Sequence, residues 1–405
     1  MKAILIIIDE YKEDTSKNKE ELESLALAND LEVTKSLVVR LDKINPATYI
    51  GTGKIQEIVQ MIKDEELIIF NNELSPLQIR NLTDLIPIEV TDRTDLILKI
   101  FASRAKTKEA KLQVEIAKDT YLLPRLAGMR EEITHQQGGA GFRGKGEKQI
   151  ELDRRVIARK LSKSKKELEK IVSSRRVQRK RRTSNDIPVI AIVGYTNSGK
   201  STLLNSLIVN QEKKVLQKDM LFATLETSSR ETLIYNHPCI ITDTVGFVDK
   251  LPHSLIDAFK STLEEIKEAD LLLHVVDYSN DNYDKQIEIT NQVLKEIGVE
   301  DKEMIYVFNK VDLTTKRVIH KGNYVYLSAK NNIGYDDLLN KISKVLFKDY
   351  KIYNLIIPYE NDYILNYLQQ NTRVLELQYL DETINIKVEC NKQTISKYVS
   401  YIGEV

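Results

Sequence analysis

One octapeptide leaves few architectures open: Gly194-Tyr195-Thr196-Asn197-Ser198-Gly199-Lys200-Ser201. It follows the apolar run Ile187-Pro188-Val189-Ile190-Ala191-Ile192-Val193 and precedes Thr202-Leu203-Leu204-Asn205-Ser206-Leu207, which has helical character. A buried strand, a glycine-flanked loop and a helix N-terminus, in that order, form a phosphate cradle. The glycines let the backbone wrap an anion, and successive N–H groups and the helix dipole face its charge. Lys200 would reach the β- and γ-phosphates and the Ser201 hydroxyl would sit on Mg²⁺, with Thr202 completing the phosphate-binding set. The fold that carries such a loop is α/β, a doubly wound and mostly parallel sheet.

Downstream, Leu233-Ile234-Tyr235 and Ile240-Ile241-Thr242 have strand character, and the second runs into Asp243-Thr244-Val245-Gly246. A carboxylate at a strand end beside a phosphate loop can hold Mg²⁺ through its water shell. Gly246 offers an N–H that approaches a γ-phosphate with no Cβ in the way. Further on, Leu271-Leu272-Leu273-His274-Val275-Val276-Asp277 is a long apolar strand. Met304-Ile305-Tyr306-Val307-Phe308 ends in Asn309-Lys310-Val311-Asp312, and Tyr324-Val325-Tyr326-Leu327 ends in Ser328-Ala329-Lys330. The Asp312 carboxylate suits two hydrogen bonds from guanine, at N1–H and the exocyclic amine. Adenine presents neither donor there and would leave a buried carboxylate unpaired, at a cost on the order of several kcal/mol. Asn309 can bond another edge of the base, the Lys310 stem can cover its face, and the Ala329 N–H can meet O6. In register behind a phosphate loop, these residues imply a domain that binds and hydrolyses GTP.

Switching elements follow from spacing. Ahead of Leu233 lies Asp219-Met220-Leu221-Phe222-Ala223-Thr224-Leu225-Glu226-Thr227. A threonine there can coordinate Mg²⁺ and sense the γ-phosphate, ordering the loop only in the GTP state. Thr224 is the candidate and Thr227 the alternative. Phe247 follows Gly246 at the place where many small GTPases carry a glutamine that orients the attacking water. Phenylalanine cannot do that, so another group supplies the function or hydrolysis depends on a partner. Asn197 is a candidate K⁺ ligand, since asparagine recurs here in GTPases that use K⁺ in place of a catalytic arginine. The alternative is that Asn197 braces the loop.

A chain of 405 residues exceeds one ordinary core, and two to three domains are the usual expectation. No apolar stretch approaches the ~20 residues that span a bilayer. The two cysteines, Cys239 and Cys390, lie far apart without metal-like partners. A cytoplasmic, reducing location and a monomer are expected. The 60 Lys and Arg balance the 60 Asp and Glu, yet their distribution is uneven. Positive charges dominate from Arg143 to Arg182, ending in Arg175-Arg176-Val177-Gln178-Arg179-Lys180-Arg181-Arg182. Asymmetry of that kind points to a polyanion partner for this region.

The flanks divide by pattern. Residues 1–100 alternate apolar strands at 3–8, 34–39, 67–70 and 88–91 with helical stretches at 18–28, after Gly53 and at 75–85, which suggests a small α/β domain. Tyr49-Ile50-Gly51-Thr52-Gly53-Lys54 lacks the full phosphate-loop spacing and reads as a helix-start turn. Residues 101–184 form a long helical hairpin, its first helix running almost unbroken over 95–126 and its second over 147–182. Between them Gln136-Gln137-Gly138-Gly139-Ala140-Gly141-Phe142-Arg143-Gly144-Lys145-Gly146 makes a glycine-rich tip. Its cations Arg143 and Lys145 suit phosphate contact in folded RNA. The nucleotide domain spans 187–348, and 350–405 make a small α+β domain with strands at 354–357, 373–379 and 383–390 and helices at 362–370 and 392–401.

These residues resemble the HflX GTPases, ribosome-associated translational GTPases. The likeness rests on the phosphate loop, Phe222-Ala223-Thr224-Leu225-Glu226, Asp243-Thr244-Val245-Gly246-Phe247, Leu251-Pro252-His253 and Ala258-Phe259-Lys260-Ser261-Thr262-Leu263-Glu264-Glu265. It extends to Asn309-Lys310-Val311-Asp312, Ser328-Ala329 and Glu147-Lys148-Gln149-Ile150-Glu151-Leu152-Asp153-Arg154-Arg155. It covers essentially the first 345 residues and is less specific in the tail. The resemblance implies binding to the large ribosomal subunit and its rRNA, ribosome-stimulated GTP hydrolysis and rescue by splitting stalled ribosomes, notably under heat stress. It also implies that the hairpin loop reaches towards the peptidyl transferase centre. One departure stands out: Gly144-Lys145-Gly146-Glu147-Lys148 replaces the usual Gly-Pro-Gly-Glu-Thr, which loosens the loop and adds cations. Two other functions remain open on the sequence, an RNA-remodelling NTPase and a GTP-binding RNA-binding module with little intrinsic hydrolysis.

Overall fold

The computed structural model describes residues 1–9, 15–128, 143–182, 187–208, 228–235, 237–248, 255, 260–299, 301–318 and 322–403. The chain forms two compact units, one built mainly on Met1–Gln178 and the other mainly on the residues that follow.

The first unit opens with β1 (Lys2–Asp9), α1 (Thr15–Leu27), β2 (Glu32–Arg40), α2 (Thr52–Met61), β3 (Leu67–Phe70), α3 (Pro76–Leu85), β4 (Glu89–Asp92) and α4 (Arg93–Arg104). Its four strands are all parallel in the order β2-β1-β3-β4. Central β1 is a run of six buried residues, as expected when a parallel strand is covered on both faces. Ile4, Ile6 and Ile8 pack with Ile58, Ile68 and Phe70 in one core. α2 begins one residue after its N-cap Gly51, so the Gly51-Thr52-Gly53 segment is a helix start, as expected.

The helix expected over 95–126 is two helices, α4 and α5 (Lys108–Gly128). The break has a local cause. Ala105 leaves the helical region at φ −65° and ψ 110°, and Thr107 Oγ1 accepts the Ala110 N–H at 3.2 Å, capping a new helix. The next helix, α6 (Arg143–Arg182), begins four residues before the expected Glu147 and takes in Arg143 and Lys145. Lys160 of α6 meets Glu115 at 2.6 Å and Asp119 at 3.6 Å, and Glu167 meets Lys108 at 2.5 Å, which fixes α6 against α5. Asp92, wholly buried, fastens α5 to the sheet. It caps α4 through the Asp95 N–H, takes the Leu74 N–H, and accepts from Tyr121 Oη at 2.9 Å and Arg125 at 3.2 Å. Burial pushes this carboxyl's pKa up, and the Leu74 N–H and Arg125 pull against that shift.

The second unit runs β5 (Val189–Val193), α7 (Lys200–Leu207), β6 (Ser228–Ile234), β7 (His237–Asp243), α8 (Lys260–Glu268), β8 (Leu271–Asp277), α9 (Tyr283–Glu296), β9 (Met304–Asn309), β10 (Tyr324–Tyr326) and α10 (Tyr335–Leu346). Its six strands are ordered β10-β9-β8-β5-β7-β6, parallel except for the antiparallel edge strand β6. This is the doubly wound, mostly parallel sheet that the phosphate loop requires. Ile190, Ile192, Leu273, Val275, Ile305 and Val307 line its core. The chain ends with β11 (Lys351–Pro358), α11 (Asp362–Asn371), β12 (Arg373–Tyr379), β13 (Thr383–Cys390) and α12 (Lys392–Ser396), in an antiparallel sheet ordered β11-β13-β12. The helix expected over 392–401 stops at Ser396, and a separate 3₁₀ turn covers Val399–Tyr401. Among the described residues no helix is long and apolar enough to cross a membrane.

Candidate nucleotide-binding site

Brought together at the C-terminal ends of β5, β7, β9 and β10 are three segments that lie far apart in sequence. The first is the phosphate loop between β5 and α7. Gly199 caps α7 at φ +94°, and a Cβ there would lie 2.1 Å from Asn309 Nδ2, so only glycine fits. Lys200 is 6% exposed, and its Nζ donates to the Tyr195 carbonyl at 2.7 Å. Burial pulls its ammonium down to about 8, with Asp243 acting in the opposite direction. A cation held in so dry a place is strongly favoured by an arriving phosphate. Thr196 Oγ1 and Ser198 Oγ are buried with no hydrogen-bond partner among the described residues, donors that a phosphate oxygen would satisfy. Asn197 sits in the left-handed region at φ 60°, and Thr202 lies in the first turn of α7.

β7 supplies the second segment. Asp243 Oδ2 accepts from Ser201 Oγ at 2.8 Å, which places a hydroxyl and a carboxylate side by side as hard oxygen donors suited to Mg²⁺. Thr244 Oγ1 donates to the Ile192 carbonyl at 2.7 Å, tying the end of β7 to β5. Val245 is buried. At Gly246 a Cβ would lie 2.8 Å from Thr196 Cγ2 and 2.9 Å from Lys200 Nζ, so the backbone reaches the phosphate lysine only because no side chain intervenes. Phe247 joins this loop to the first by two backbone bonds, to Gly194 O at 3.1 Å and from Thr196 N at 2.7 Å. Its ring is 2% exposed and packs into the protein.

The third segment follows β9 and β10. Asn309 Nδ2 donates to Ser198 O at 2.9 Å, and Asn309 Oδ1 accepts the Ala329 N–H at 2.9 Å. The sequence suggested that Asn309 bonds the base and that the Ala329 N–H meets O6. In the structure these groups first bond one another and the phosphate loop, so Asn309 spaces the two loops. Lys310 adopts φ 64°, and Val311 N–H bonds Leu327 O at 3.3 Å. Asp312, expected to be a buried carboxylate, is exposed, as is Lys330, whereas Ser328 is buried and its Oγ accepts the Asn331 N–H at 3.2 Å.

Two residues here were not singled out by the sequence. Asp277, at the end of β8, holds Lys310 Nζ at 2.7 Å and so fixes the stem expected to cover the base. His274 lies opposite Val193 on β8, and burial, reinforced by the Lys200 charge, brings it down to about 3, so it stays neutral behind the loop. A carboxylate ending a strand beside Asn-Lys-x-Asp was the available signal for Asp277. His274 carried none. The expected switch residues Phe222, Ala223, Thr224, Leu225 and Glu226 lie outside the described residues, as do the side chains of Arg143 and Lys145.

Family profiles match consecutive stretches of the chain. A GTP-binding GTPase N-terminal profile matches residues 16–102, a GTP-binding GTPase middle-region profile 104–182, and a 50S ribosome-binding GTPase profile 189–310. The chain is 43% identical to GTPase HflX of Caldanaerobacter subterraneus over 96% of its own length and 90% of that protein. The chain belongs to the HflX GTPase family. It is 41% identical to GTPase HflX of Lacrimispora saccharolytica, over 95% of this chain and 92% of that one. It is also similar to a GTP-binding protein of Sulfolobus solfataricus solved in complex with GDP, at 26% identity and a TM-score of 0.44, covering 86% of this chain and 99% of that chain. As an HflX-family GTPase, the protein binds guanine nucleotide and hydrolyses GTP.

Proposed function

We propose that this GTPase is a switch that binds the large ribosomal subunit and splits or rescues stalled ribosomes, with hydrolysis stimulated by the ribosome. The observation that carries the reading is Phe247. Its side chain is buried and cannot orient an attacking water, beside the phosphate loop and Gly246. Such a site waits for a group from outside, and a ribosomal surface can supply one. The hairpin gives support. Lys108, Arg159, Lys163, Lys166 and Lys170 line a groove of about 920 Å³ along α5 and α6, a surface fitted to an RNA backbone.

In this reading Lys200 and the phosphate-loop N–H groups hold the β- and γ-phosphates, and the Gly246 N–H meets the γ-phosphate. Asp312 takes the guanine N1–H and amine, while the Lys310 stem covers the ring and Ser328, Ala329 and Lys330 close the pocket edge. Ser201, Thr224 and, through water, Asp243 would hold Mg²⁺, which neutralises charge developing on the phosphate oxygens. Asn197 would hold a K⁺ that offsets charge in a site without a glutamine. Faster turnover in K⁺ than in Na⁺ buffer is then expected, and equal rates with ribosomes present would remove the K⁺ assignment.

Arg143 and Lys145 are proposed to contact rRNA phosphates. Log affinity for large subunits should fall roughly linearly with log salt. Replacing both residues by Ala should weaken binding and flatten that slope by about one to two units, while basal GTP turnover stays unchanged. An unaltered slope, or lost basal turnover, would contradict the assignment.

A further inference from the structure

β6 and β7 form one hairpin between the two segments expected to sense the γ-phosphate. β6 starts one residue after Thr227, and β7 ends at Asp243, which leads into Gly246. The pairing is continuous, from Ser228 opposite Asp243 to Ile234 opposite His237. Seven residues at about 3.4 Å each put the far tip roughly 20 Å from the nucleotide end. A paired ribbon of this kind cannot slip by one residue without turning its buried face outwards, so a displacement at the tip moves both ends together.

That tip is held by the C-terminal sheet and the segment leading to it. His237 is 1% exposed and packs in a cluster with Phe347, with ring centroids 4.4 Å apart, and Tyr350, at 4.9 Å. Its Nε2 is 3.3 Å from Glu389 Oε2 on β13. Glu389 also accepts from Arg373 of β12 at 3.1 Å, and the Arg373 guanidinium stands 5.2 Å over the Tyr235 ring. Tyr235, in the turn at φ 49°, donates its hydroxyl to Asn340 of α10 at 2.8 Å. Burial holds the His237 imidazole below its ordinary pKa against the opposing pull of Glu389, so the neutral ring gives its Nε2–H to the carboxylate.

We propose that the C-terminal sheet is a positioning element for GTP hydrolysis, acting on the Asp243–Gly246 segment through His237 and Tyr235 at the tip of the β6–β7 hairpin. The phosphate loop and the base pocket are carried by β5, β9 and β10, not by this hairpin. Loosening the tip therefore lowers kcat and leaves ground-state binding of GTP nearly intact.

The test is basal GTP hydrolysis by the full chain without ribosomes, with kcat and KM resolved and the thermal midpoint measured alongside. His237→Phe keeps the ring packing and loses the donor; Glu389→Gln keeps the shape and loses the charge. Both should lower kcat about fivefold or more with KM within about twofold, the range typical of coupling between sites. His237→Gln restores a donor and should recover most of the loss. Lys387→Ala removes the exposed pair with Glu376 on the same sheet and should change nothing. The proposal is overturned if His237→Phe and Glu389→Gln keep wild-type kcat. It is equally overturned if Lys387→Ala matches their loss, if His237→Gln recovers nothing, or if kcat falls only in step with the thermal midpoint and a rising KM. None of these outcomes depends on ribosome binding.

Discussion

Replacing Lys200 by Ala should reduce GTP turnover by at least ~10²–10³-fold, the usual effect of removing one preorganised charge-stabilising group. The side chain is 6% exposed and its ammonium bonds Tyr195 O, beside the Gly246 backbone. In that dry setting its charge acts on the transferring phosphoryl group with little screening. Alanine leaves the backbone cradle and the helix dipole in place, so nucleotide binding should weaken far less than turnover. Stopped turnover with a preserved thermal midpoint is the expected pair of results. Turnover retained near the wild-type rate would contradict the phosphate assignment.

The second large effect concerns the base. Asp312→Asn should weaken GTP by roughly 10²-fold or more and favour xanthosine triphosphate, because an amide donor faces the carbonyl that replaces the guanine amine. Asp312 is exposed at the rim, two residues past the left-handed Lys310, and its loop is held by Val311 N–H on Leu327 O and by Asp277 on Lys310. The substitution therefore changes recognition without unpacking a core. Competition between the two triphosphates measures the change. A variant that still prefers GTP would show that Asp312 does not read the base.

The parts of this site visible in the sequence are those in which chemistry is local. A phosphate loop needs its glycines, lysine and serine within eight residues, and Asn309-Lys310-Val311-Asp312 needs only a strand before it. What stayed hidden depends on which distant strands become neighbours. Asn309 spans Ser198 and Ala329 because β9 lies two strands from β5 and beside β10 in the sheet order. The hold of Glu389 on His237 joins residues 152 apart, and neither stands in a motif. Local capping explains the remaining differences. Periodicity continued smoothly through 105–107, but the Thr107 hydroxyl offers the backbone a cap and splits the helix there. At the other end, Asn391 caps α12 through the Thr394 N–H, yet only five residues follow as helix.

The proposal that this GTP site waits for the ribosome is tested most directly by GTP turnover of wild-type and Lys200→Ala chains, each with and without purified large ribosomal subunits. Wild-type turnover should be slow alone and rise by on the order of 10²-fold or more with large subunits, as partner-supplied groups do for other GTPases. Lys200→Ala should remain inactive in both conditions. Wild-type turnover that is the same with and without large subunits would contradict the account.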